Sequence, residues 1–364
     1  MNSLFSMDAH EFYMSRAIEL AKRGRGKVSP NPLVGCIIVK NGEIIGEGYH
    51  EEFGGPHAEI VALQNSQKDP VGATMYINLE PCSITGKTKP CVNALIQNSI
   101  SEVYVSMLDP NPKINGNGIE ELKRAGIQVN TGILKEEAER LNRAFTKWVT
   151  SRLPWVIAKV AQTSDGFMGI SSDTSIWLTG EKSREHTHKL RTKVDAVLIG
   201  RNTALVDNPL LTVREVIGNN PKRIILDTNR TLPLDLNIFN DKAAQNIILC
   251  SSDKFKKSET HFCHYLPIQE KNKKLSCHNI LEVLGNEGVT SILIEGGYEV
   301  LNSFNIEGLI DEMYIYTSNK KIENAKLKNP ISIPGNWNLT QEISLGNDKL
   351  VIAQREELEC LQEL

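Results

Sequence analysis

The sequence predicts an α/β protein made of two consecutive domains. Segments with the apolar spacing of helices alternate with short runs of β-branched and aromatic residues, which is the pattern of α/β folds. One such series closes and a second opens near Leu153-Pro154, and 364 residues fit two domains of ordinary size better than one. We therefore expect domains at residues 1–150 and 151–364.

The N-terminal elements have the clearest local signals. A helix is predicted from Asp8 to Arg23, because its first residue is a favourable N-cap, Glu11 follows three positions later, and Gly24 is a stop signal. Two apolar runs, Leu33 to Val39 and Ile44 to Tyr49, then flank an Asn-Gly pair. Such a pair between apolar runs predicts an antiparallel hairpin.

The remaining elements follow from apolar periodicity in both domains. The first domain continues with helices that begin near His57, Cys91 and Ile119, and with strands at Thr74–Leu79, Val103–Met107 and around Gln128. The second domain contains helices at Arg184–Lys193 and near Tyr298, and strands at Trp155–Val160, Ala196–Ile199, Arg223–Leu226, Ile247–Cys250 and Ser291–Ile294. Helices and strands alternate in both series, as the fold class requires.

Composition and charge exclude several classes of protein. A formal net charge of −3 argues against a protein that follows nucleic acid with a strongly basic surface. No apolar run approaches the roughly 18 residues that a membrane helix needs, and the N-terminus lacks the pattern of a secretory signal. Seven widely spaced cysteines do not form a disulfide framework. We therefore expect a cytoplasmic protein that binds neither nucleic acid nor a membrane, and homo-oligomerisation stays open.

The most informative residues are His57, Glu59, Cys82 and Cys91. One histidine and two cysteines are a zinc ligand set that leaves one coordination position for water. On a continuous helix His57 and Glu59 would point about 200° apart, so both can serve one site only at a helix N-terminus with the metal beyond its end. Glu59 is then best interpreted as a proton shuttle. The alternative is a structural zinc site, which would normally close with a fourth protein ligand, and none is evident nearby.

The spacing of the two cysteines narrows the substrate class. The His-Ala-Glu and Pro-Cys pattern is typical of zinc deaminases, and those that act on nucleic acid usually place two residues between the cysteines. Here eight residues, 83–90, intervene, and they include Lys87, which suits a substrate phosphate. A nucleic-acid deaminase with an accessory domain remains an alternative, although the weak basic balance and the few aromatic residues oppose it.

Five short motifs follow one another in the first domain. They are Asn31-Pro32-Leu33-Val34-Gly35, His57-Ala58-Glu59, Leu79-Glu80-Pro81-Cys82-Ser83, Gly86-Lys87-Thr88-Lys89-Pro90-Cys91 and Asp109-Pro110-Asn111-Pro112. Their order resembles the bifunctional deaminase/reductase family of riboflavin biosynthesis. The resemblance implies a cytidine-deaminase-like three-layer α/β domain in which Zn²⁺ is bound by His57, Cys82 and Cys91 and Glu59 is the acid/base. It also implies substrate contacts from Asn31, His50, Lys87 and Asn111, while Ile84 stands where family members commonly have His.

The resemblance continues through the second domain, which has neither a G-x-G-x-x-G motif nor a P-loop. It implies a dihydrofolate-reductase-like α/β domain that uses NADPH. The implied cofactor contacts are Ala161, Trp177, Thr203, Asp207, Gly297 and Ser303. The implied substrate contacts are Ser175, Arg191, Leu211, Arg214 and Glu295, and Lys159 is the candidate catalytic residue.

Residue chemistry in the second domain agrees in part with that resemblance. Arg191 and Arg214 supply planar charged forks that suit a ribose phosphate. Glu295-Gly296-Gly297 lies between a predicted strand and a predicted helix, where backbone N–H groups can meet a cofactor phosphate. Phe167 replaces a lysine of the family pattern, and Ser318–Ile322 replaces a strand exit that usually contains Pro and Gly. These departures leave a second possibility, an active deaminase with a noncatalytic reductase-like domain.

The leading prediction is therefore a two-step enzyme of riboflavin biosynthesis. Its small-molecule substrate would be a diaminopyrimidinone that carries a ribosylamino 5′-phosphate. The first domain would hydrolyse a ring amino group with Zn²⁺, and the second would reduce the ribosyl to a ribityl chain with NADPH. A second group of potential ligands, His261-Phe262-Cys263-His264 with Cys277-His278, lies among lysines and is not expected to be a metal site.

Overall fold

A computed structural model of the chain describes residues 8–84, 90–171, 176–257, 259–260, 263–333, 335 and 337–355. The chain divides into two units, Met1–Arg152 and Leu153–Leu364. Both units combine helices with a sheet, so the α/β class is confirmed. Within the described ranges, every helix is too short or too polar to cross a lipid bilayer.

The first unit is one sheet with helices on both faces. Its helices are α1 (Ala9–Ala21), α2 (Ala58–Gln64), α3 (Cys91–Gln97), α4 (Asn117–Arg124) and α5 (Lys135–Ser151). Its strands are β1 (Gly35–Lys40), β2 (Glu43–Tyr49), β3 (Thr74–Leu79), β4 (Glu102–Met107) and β5 (Gln128–Thr131). The order in the sheet is β2-β1-β3-β4-β5, with β1 antiparallel to both of its neighbours and β3, β4 and β5 mutually parallel.

The predicted hairpin between β1 and β2 is confirmed. Its loop residues Asn41 and Gly42 have φ angles of 52° and 78°. A two-residue loop in which both residues are left-handed matches the twist of the flanking strands, and Asn-Gly is the pair that adopts it most readily. The first helix is capped as expected, because the Asp8 side chain accepts a hydrogen bond from the backbone N–H of His10.

Three layers form around this sheet. On one face α1 packs through Met14 and Ile18 against Ile37 of β1, and Leu141 of α5 joins the same cluster. On the other face residues of α2, α3 and α4 pack against β1 and β3, namely Ala58, Ala62, Val92, Leu95 and Leu122 against Ile38, Met75 and Ile77. The helix–sheet–helix arrangement is the three-layer α/β architecture that the sequence predicts.

The second unit is built on a ten-stranded sheet. Its helices are α6 (Glu181–Arg191), α7 (Arg201–Asp207), α8 (Asn237–Asn240), α9 (Cys277–Asn286) and α10 (Tyr298–Ile306). Its strands are β6 (Trp155–Thr163), β7 (Phe167–Gly169), β8 (Ala196–Gly200), β9 (Lys222–Leu226), β10 (Asn246–Ser251), β11 (Glu259–Thr260), β12 (Cys263–Ile268), β13 (Glu270–Lys271), β14 (Lys274–Leu275), β15 (Ser291–Ile294), β16 (Glu312–Ser318), β17 (Leu327–Lys328), β18 (Trp337–Leu345) and β19 (Asp348–Arg355).

The strand order of the large sheet is β11-β12-β10-β9-β8-β15-β6-β16-β19-β18. The strands from β12 to β16 run parallel, while β11, β19 and β18 are antiparallel to their neighbours. In the centre, Ile294 of β15 is aligned with Ala158 of β6 and with Leu198 of β8. Glu295 and Lys159, the residues after these positions, are therefore neighbours. Glu295 follows the carboxyl end of β15, where α/β proteins bind their ligands, and Lys159 lies within β6.

Two glycines, one after β15 and one at the end of β8, allow α10 to pack closely on the sheet. A Cβ atom at Gly296 would lie 2.9 Å from the Cβ atom of Val300, and one at Gly200 would lie 2.9 Å from a methyl carbon of the same side chain. Only glycine therefore permits this close packing of α10 on the ends of β8 and β15. Gly297 is the N-cap residue of α10, which places the helix N-terminus at the same edge as Glu295.

Candidate functional sites

The three predicted zinc ligands come together in the first unit. His57 is the N-cap residue of α2, Cys91 is the first residue of α3, and Cys82 lies on the loop after β3. Their ligand atoms all lie within 4.8 Å of one another. His57 Nδ1 is 3.2 Å from Cys91 Sγ and 3.5 Å from Cys82 Sγ.

These distances fit a single tetrahedral metal ion. Zinc bonds of about 2.0–2.1 Å to nitrogen and about 2.3 Å to sulfur separate two tetrahedral ligands by about 3.6 Å. Three protein ligands of this kind leave a fourth position for water, which is the composition of a catalytic rather than a structural zinc site. The donor set and its spacing therefore fit Zn²⁺.

Glu59 lies in the first turn of α2, and only 3% of its surface is exposed. Burial, with a smaller contribution from the charge of Cys82, raises the pKa of Glu59 to about 7. The carboxyl group interacts with His57 and with the Cys91 thiol, so Glu59 lies beside the clustered ligands. The geometry confirms the expectation that the site lies at a helix N-terminus, because the chain is not yet helical at His57.

The two cysteines differ in how readily they lose a proton. A hydrogen bond from the Cys91 thiol, together with one from His57, lowers the pKa of Cys82 to about 4. The backbone N–H of Cys91 also donates to Cys82 Sγ at 3.4 Å. The pKa of Cys91 is raised, because its thiol donates to Cys82 and is buried. One sulfur of the pair is therefore a ready thiolate, the form that binds metal.

Replacing one sulfur ligand is expected to remove the metal. In Cys91→Ser the hydroxyl is a much weaker zinc ligand than a thiolate, and we expect bound zinc to fall from about one ion per chain to a small fraction of that. Atomic emission on the purified protein measures the content. Cys263→Ser, in the second unit, is the matched control and should keep its zinc. Full zinc content in Cys91→Ser would show that Cys91 is not a ligand.

Asn31 and His50 lie beside the zinc ligands. The Nδ1–H of His50 faces the carbonyl of Pro56 at 2.9 Å, which leaves Nε2 to accept from the Asn31 amide at 3.0 Å. Burial lowers the pKa of His50, so this ring is neutral at pH 7. The centroid of the His50 ring is 5.6 Å from that of His57 in an edge-on arrangement. The structure thus brings both predicted substrate contacts to the metal site.

Asn111 lies on the loop that follows β4. Its backbone N–H donates to Asp109 Oδ1 at 2.8 Å, and its own Oδ1 accepts from the N–H of Lys113 at 3.1 Å. The side chain therefore stabilises a turn, and its amide nitrogen has no hydrogen-bond partner among the described residues. Because β3 and β4 are adjacent and parallel, with Leu79 aligned to Met107, the loops that carry Cys82 and Asn111 leave the same edge of the sheet.

Two predicted substrate contacts, Lys87 and Ser175, lie outside the described residues. Ile84 is 43% exposed. Glu80, for which the sequence predicts no role, is buried and accepts hydrogen bonds from several backbone N–H groups. Its partners are backbone N–H groups, which every residue type offers, so the sequence holds no signal for this role.

In the second unit, Arg191 and Glu295 form a buried ion pair. Arg191 Nε and Nη2 donate to the two oxygens of Glu295 at 2.6 and 2.9 Å, and Nη1 donates to the carbonyl of Thr212 at 2.9 Å. The two side chains are 10% and 9% exposed. The sequence predicts that the fork of Arg191 is open for a phosphate, but in the structure it binds a carboxylate of the protein.

Lys159 completes a charged cluster with Arg191 and Glu295. Burial lowers its pKa, and the charge of Glu295 partly opposes that shift. Burial also acts to raise the pKa of Glu295, but the charge and hydrogen bonds of Arg191 outweigh it and keep that pKa below its ordinary value. The Lys159 ammonium lies 5.6 Å from the ring centroid of Tyr316, whose hydroxyl bonds to His186 Nδ1 at 2.7 Å.

The segment 211–214 runs beside α6. Leu211 is buried and has a left-handed φ of 53°. The backbone N–H of Arg214 donates to His188 Nδ1 at 3.3 Å, while its guanidinium is half exposed and lies 3.8 Å from Glu215. Unlike that of Arg191, the fork of Arg214 can meet a ligand that comes from solvent.

The predicted cofactor contacts are partly brought together. The N–H of Gly297 donates to Thr203 Oγ1 at 3.1 Å, so these two residues are direct neighbours. Trp177 is 69% exposed, with the guanidinium of Arg184 at 5.3 Å from its ring centroid. The others are placed as follows: Ala161 lies in β6 opposite Tyr316, Asp207 ends α7, and the Ser303 hydroxyl donates to the Glu299 carbonyl within α10.

The second cysteine and histidine group lies on separate elements. Cys263 and His264 belong to β12, Cys277 begins α9, and His278 is paired with Glu282. His261 and Phe262 are outside the described residues. Among the residues that are described, the one group with ligand atoms close enough for a metal ion is His57, Cys82 and Cys91.

Two family models match consecutive parts of the chain. The cytidine and deoxycytidylate deaminase zinc-binding region matches residues 7–107, and the RibD C-terminal domain matches residues 154–322. The first match contains the His/Cys/Cys group, and the second contains the Lys/Arg/Glu cluster. The expected classes of both folds are thereby confirmed.

Full-length relatives carry the same two parts. Proteins called riboflavin biosynthesis protein RibD are 38% identical over 337 residues in Actinobacillus pleuropneumoniae, with 92% of this chain and 90% of the relative covered, and 40% identical over 311 residues in Aquifex aeolicus, with 85% and 86% covered. The structure of Acinetobacter baumannii RibD is 33% identical, with a TM-score of 0.85 and coverage of 97% of this chain and 100% of that one. A deaminase/reductase structure from Thermotoga maritima is 35% identical, with a TM-score of 0.85 and coverage of 95% and 99%. The chain belongs to the RibD family of bifunctional deaminase/reductase enzymes of riboflavin biosynthesis.

Proposed function

We propose that residues 1–150 deaminate a diaminopyrimidinone carrying a ribosylamino 5′-phosphate, and that residues 151–364 then reduce its ribosyl group. The enzyme uses Zn²⁺ for the first reaction and NADPH for the second. The proposal rests on one observation. The ligand atoms of His57, Cys82 and Cys91 lie close enough together to bind a single metal ion, and the buried Glu59 lies beside them.

In the deaminase site, we assign metal binding to His57, Cys82 and Cys91. When bound, Zn²⁺ acts as a Lewis acid that lowers the pKa of a water in the open position. Glu59 takes a proton from the attacking water and gives it to the ring amino group, so that a C–O bond forms while the C–N bond breaks and ammonia leaves. A pKa of about 7 suits a carboxyl group that must both accept and release a proton near neutral pH.

Substrate orientation in this site is assigned to Asn31, His50, Asn111 and Lys87. The neutral His50 ring fixes the Asn31 amide, whose oxygen stays available for a ring N–H of the pyrimidine. The amide nitrogen of Asn111 offers a donor for a ring acceptor. Lys87 would meet the phosphate, as a flexible point charge suits that group.

In the reductase site, NADPH would supply the hydride for the anomeric carbon when it is bound, and the departing ring oxygen would need a proton. We assign that proton to Lys159, which is held between Glu295 and the ring of Tyr316. Arg191 holds Glu295 in place, Arg214 and Ser175 would bind the substrate phosphate, and Leu211 would contact the sugar. NADPH would lie along Ala161, Trp177, Thr203, Asp207, Gly297 and Ser303, with the N-terminus of α10 near a phosphate.

The charged cluster also bears on the alternative of a noncatalytic second domain. Three charged groups, Lys159, Arg191 and Glu295, are kept buried together. Burying such groups costs free energy that an apolar core would not, and this favours a retained chemical role. Phe167, the residue that departs from the family pattern, lies in the three-residue strand β7 and not in this cluster.

We further propose that the enzyme works in the cytosol on a small molecule and not on nucleic acid. The described cysteines, among them Cys36, Cys250 and Cys277, are all free thiols, as expected in a reducing compartment. The near-neutral charge does not favour binding to a polyanion. Whether the chain forms a homo-oligomer is open to measurement by light scattering.

A mixing experiment tests whether each unit catalyses one of the two reactions. Glu59→Gln and Lys159→Ala are each blocked in one reaction, so neither should complete the two-step conversion alone with NADPH. A mixture of the two should form the reduced product, because the deaminated intermediate made by one variant is consumed by the other. If Glu59→Gln fails to reduce deaminated intermediate that is supplied to it, the assignment of one reaction to each unit is wrong.

Reduction is expected to lose rate as pH rises. A proton donor works only below its pKa, and burial lowers the pKa of Lys159, so the alkaline decline should begin below the ordinary range of a lysine. The pH profile of kcat for NADPH oxidation measures this. Lys159→Arg, which stays protonated throughout, is the comparison and should be far less active with no such decline. An identical alkaline decline in the residual activity of Lys159→Arg would assign the proton to another group.

A further inference from the structure

Glu80 is a buried carboxylate with an unusual set of partners. It directly follows β3 and precedes Cys82 by two residues, and it is 3% exposed. Its own backbone N–H donates to the carbonyl of Met107, at the end of the neighbouring strand β4, at 3.0 Å. Glu80 therefore stands between the loop that carries a zinc ligand and the loop that leaves β4.

The two oxygens of Glu80 accept from four backbone N–H groups of a single segment. Oε2 accepts from Asp109 at 3.1 Å and Gly116 at 2.9 Å. Oε1 accepts from Gly118 at 3.0 Å and Ile119 at 3.4 Å. These donors bracket the whole loop between β4 and α4 and include the N-terminus of α4, where a negative charge is stabilising.

Close packing also holds the loop after β3 against the start of α4. A Cβ atom at Gly118 would lie 2.2 Å from the carbonyl oxygen of Pro81, so the first turn of α4 rests directly on the residue before Cys82. Within the bracketed loop, Asp109 Oδ1 accepts from the N–H of Asn111. Movement of the Asp109 end is therefore passed to Asn111.

We propose that Glu80 is a positioning residue of the deaminase site, which fixes Asn111 relative to the Cys82 ligand so that substrate ring and metal keep one distance. This proposal rests on the proposed function, and specifically on Asn111 as a substrate contact. A carboxylate is needed because it is the side chain that offers two oxygens and no donor, and thus accepts from all four N–H groups.

The first test is Glu80→Gln, assayed for deamination, zinc content and reduction. The amide keeps one acceptor oxygen but turns an NH₂ group toward two backbone N–H donors. We expect KM for the diaminopyrimidinone to rise roughly tenfold or more, since the loop that carries Asn111 is released. Zinc content and reduction of deaminated intermediate should be unchanged. Unchanged KM, or loss of zinc, would overturn the proposal.

A double-mutant cycle separates positioning from general stabilisation. If Glu80 acts through Asn111, then Glu80→Gln should raise KM little further in an Asn111→Ala background, because the contact it positions is already gone. If the two effects on KM multiply, or if Asn111→Ala has no effect alone, the proposed link is refuted. Partial recovery of KM in Glu80→Asp, which keeps both acceptor oxygens, is also expected.

A second variant covers the case in which Glu80→Gln does not fold. Gly118→Ala keeps the carboxylate but places a methyl group against the Pro81 carbonyl, so α4 and its loop must shift. KM should rise with zinc retained, and an unchanged KM in a folded Gly118→Ala protein would refute the proposal. Failure of the proposed function is distinguishable, because the wild-type chain would then not deaminate the diaminopyrimidinone at all.

Discussion

Glu59→Gln is expected to retain zinc and to lose deamination by roughly 10²- to 10⁴-fold, the range that a positioned acid/base contributes. The amide is close in shape to the carboxyl group, and Glu59 is not one of the three clustered ligands, so metal binding should survive. What disappears is the group that carries the proton from water to the leaving amine. Steady-state deamination and zinc content, measured on the same preparation, check both halves of the prediction.

The matched control for this variant is Glu136→Gln. Glu136 is exposed in the first turn of α5, so the same chemical change there should leave deamination intact. Reduction of supplied intermediate should be normal in both variants, since the second unit is untouched. Normal deamination by Glu59→Gln with zinc bound would contradict the assignment of the proton shuttle.

Arg191→Ala is expected to impair reduction by roughly a hundredfold, as displaced catalytic groups commonly do, while deamination is spared. Removing the guanidinium leaves the Glu295 carboxylate buried without its partner beside Lys159. Breaking a buried ion pair from one side costs about 3–5 kcal/mol, so the second unit should also unfold at lower urea concentration. NADPH oxidation with deaminated intermediate and urea unfolding followed by fluorescence measure the two effects.

Lys189→Ala is the comparison for Arg191→Ala. Lys189 lies on the same helix but pairs with Glu185 on the surface, where such a pair contributes about 0–1 kcal/mol. It should change neither stability nor reduction appreciably. If Arg191→Ala reduced intermediate at the normal rate, then the Arg191–Glu295 pair would be structural alone.

Much of the fold was predictable because local signals and tertiary packing agree. The Asn41-Gly42 turn and the strand Ser291–Ile294 were predicted from short patterns, since their residues are buried or conformationally fixed. The sequence does not predict helix α5, because seven of its 17 residues are charged and just Ala138 and Asn142 are fully buried. Helix α6 was placed three residues late, because its N-cap is Gly180, whose N–H is satisfied by the distant Asp348.

Apolar periodicity does not predict the C-terminal strands β16, β18 and β19. β16 lies inside the sheet, but its neighbour β6 lies far away in the chain, as with Tyr316 opposite Ala161. No local signal specifies such pairings. β18 is an edge strand with largely exposed side chains, so it lacks the apolar alternation that identifies a strand.

In the candidate sites, too, some residues are predictable from the sequence and others are not. His57, Glu59, Cys82 and Cys91 were predictable, because metal chemistry restricts both residue type and spacing. The ion pair of Arg191 with Glu295 was not, since it joins residues 104 positions apart. Glu80 escaped notice for a related reason, as its partners are backbone N–H groups that any sequence offers.

One chain is expected to perform two reactions in a fixed order. A mass-spectrometric time course of the zinc-loaded protein with the diaminopyrimidinone ribosylamino phosphate, with and without NADPH, would follow both reactions at once. Without NADPH we expect one product, in which oxygen has replaced an NH group, and with NADPH a second product that has gained two hydrogens. Deamination that never proceeds to reduction would contradict the role of the second unit, and absence of any reaction would contradict the claim as a whole.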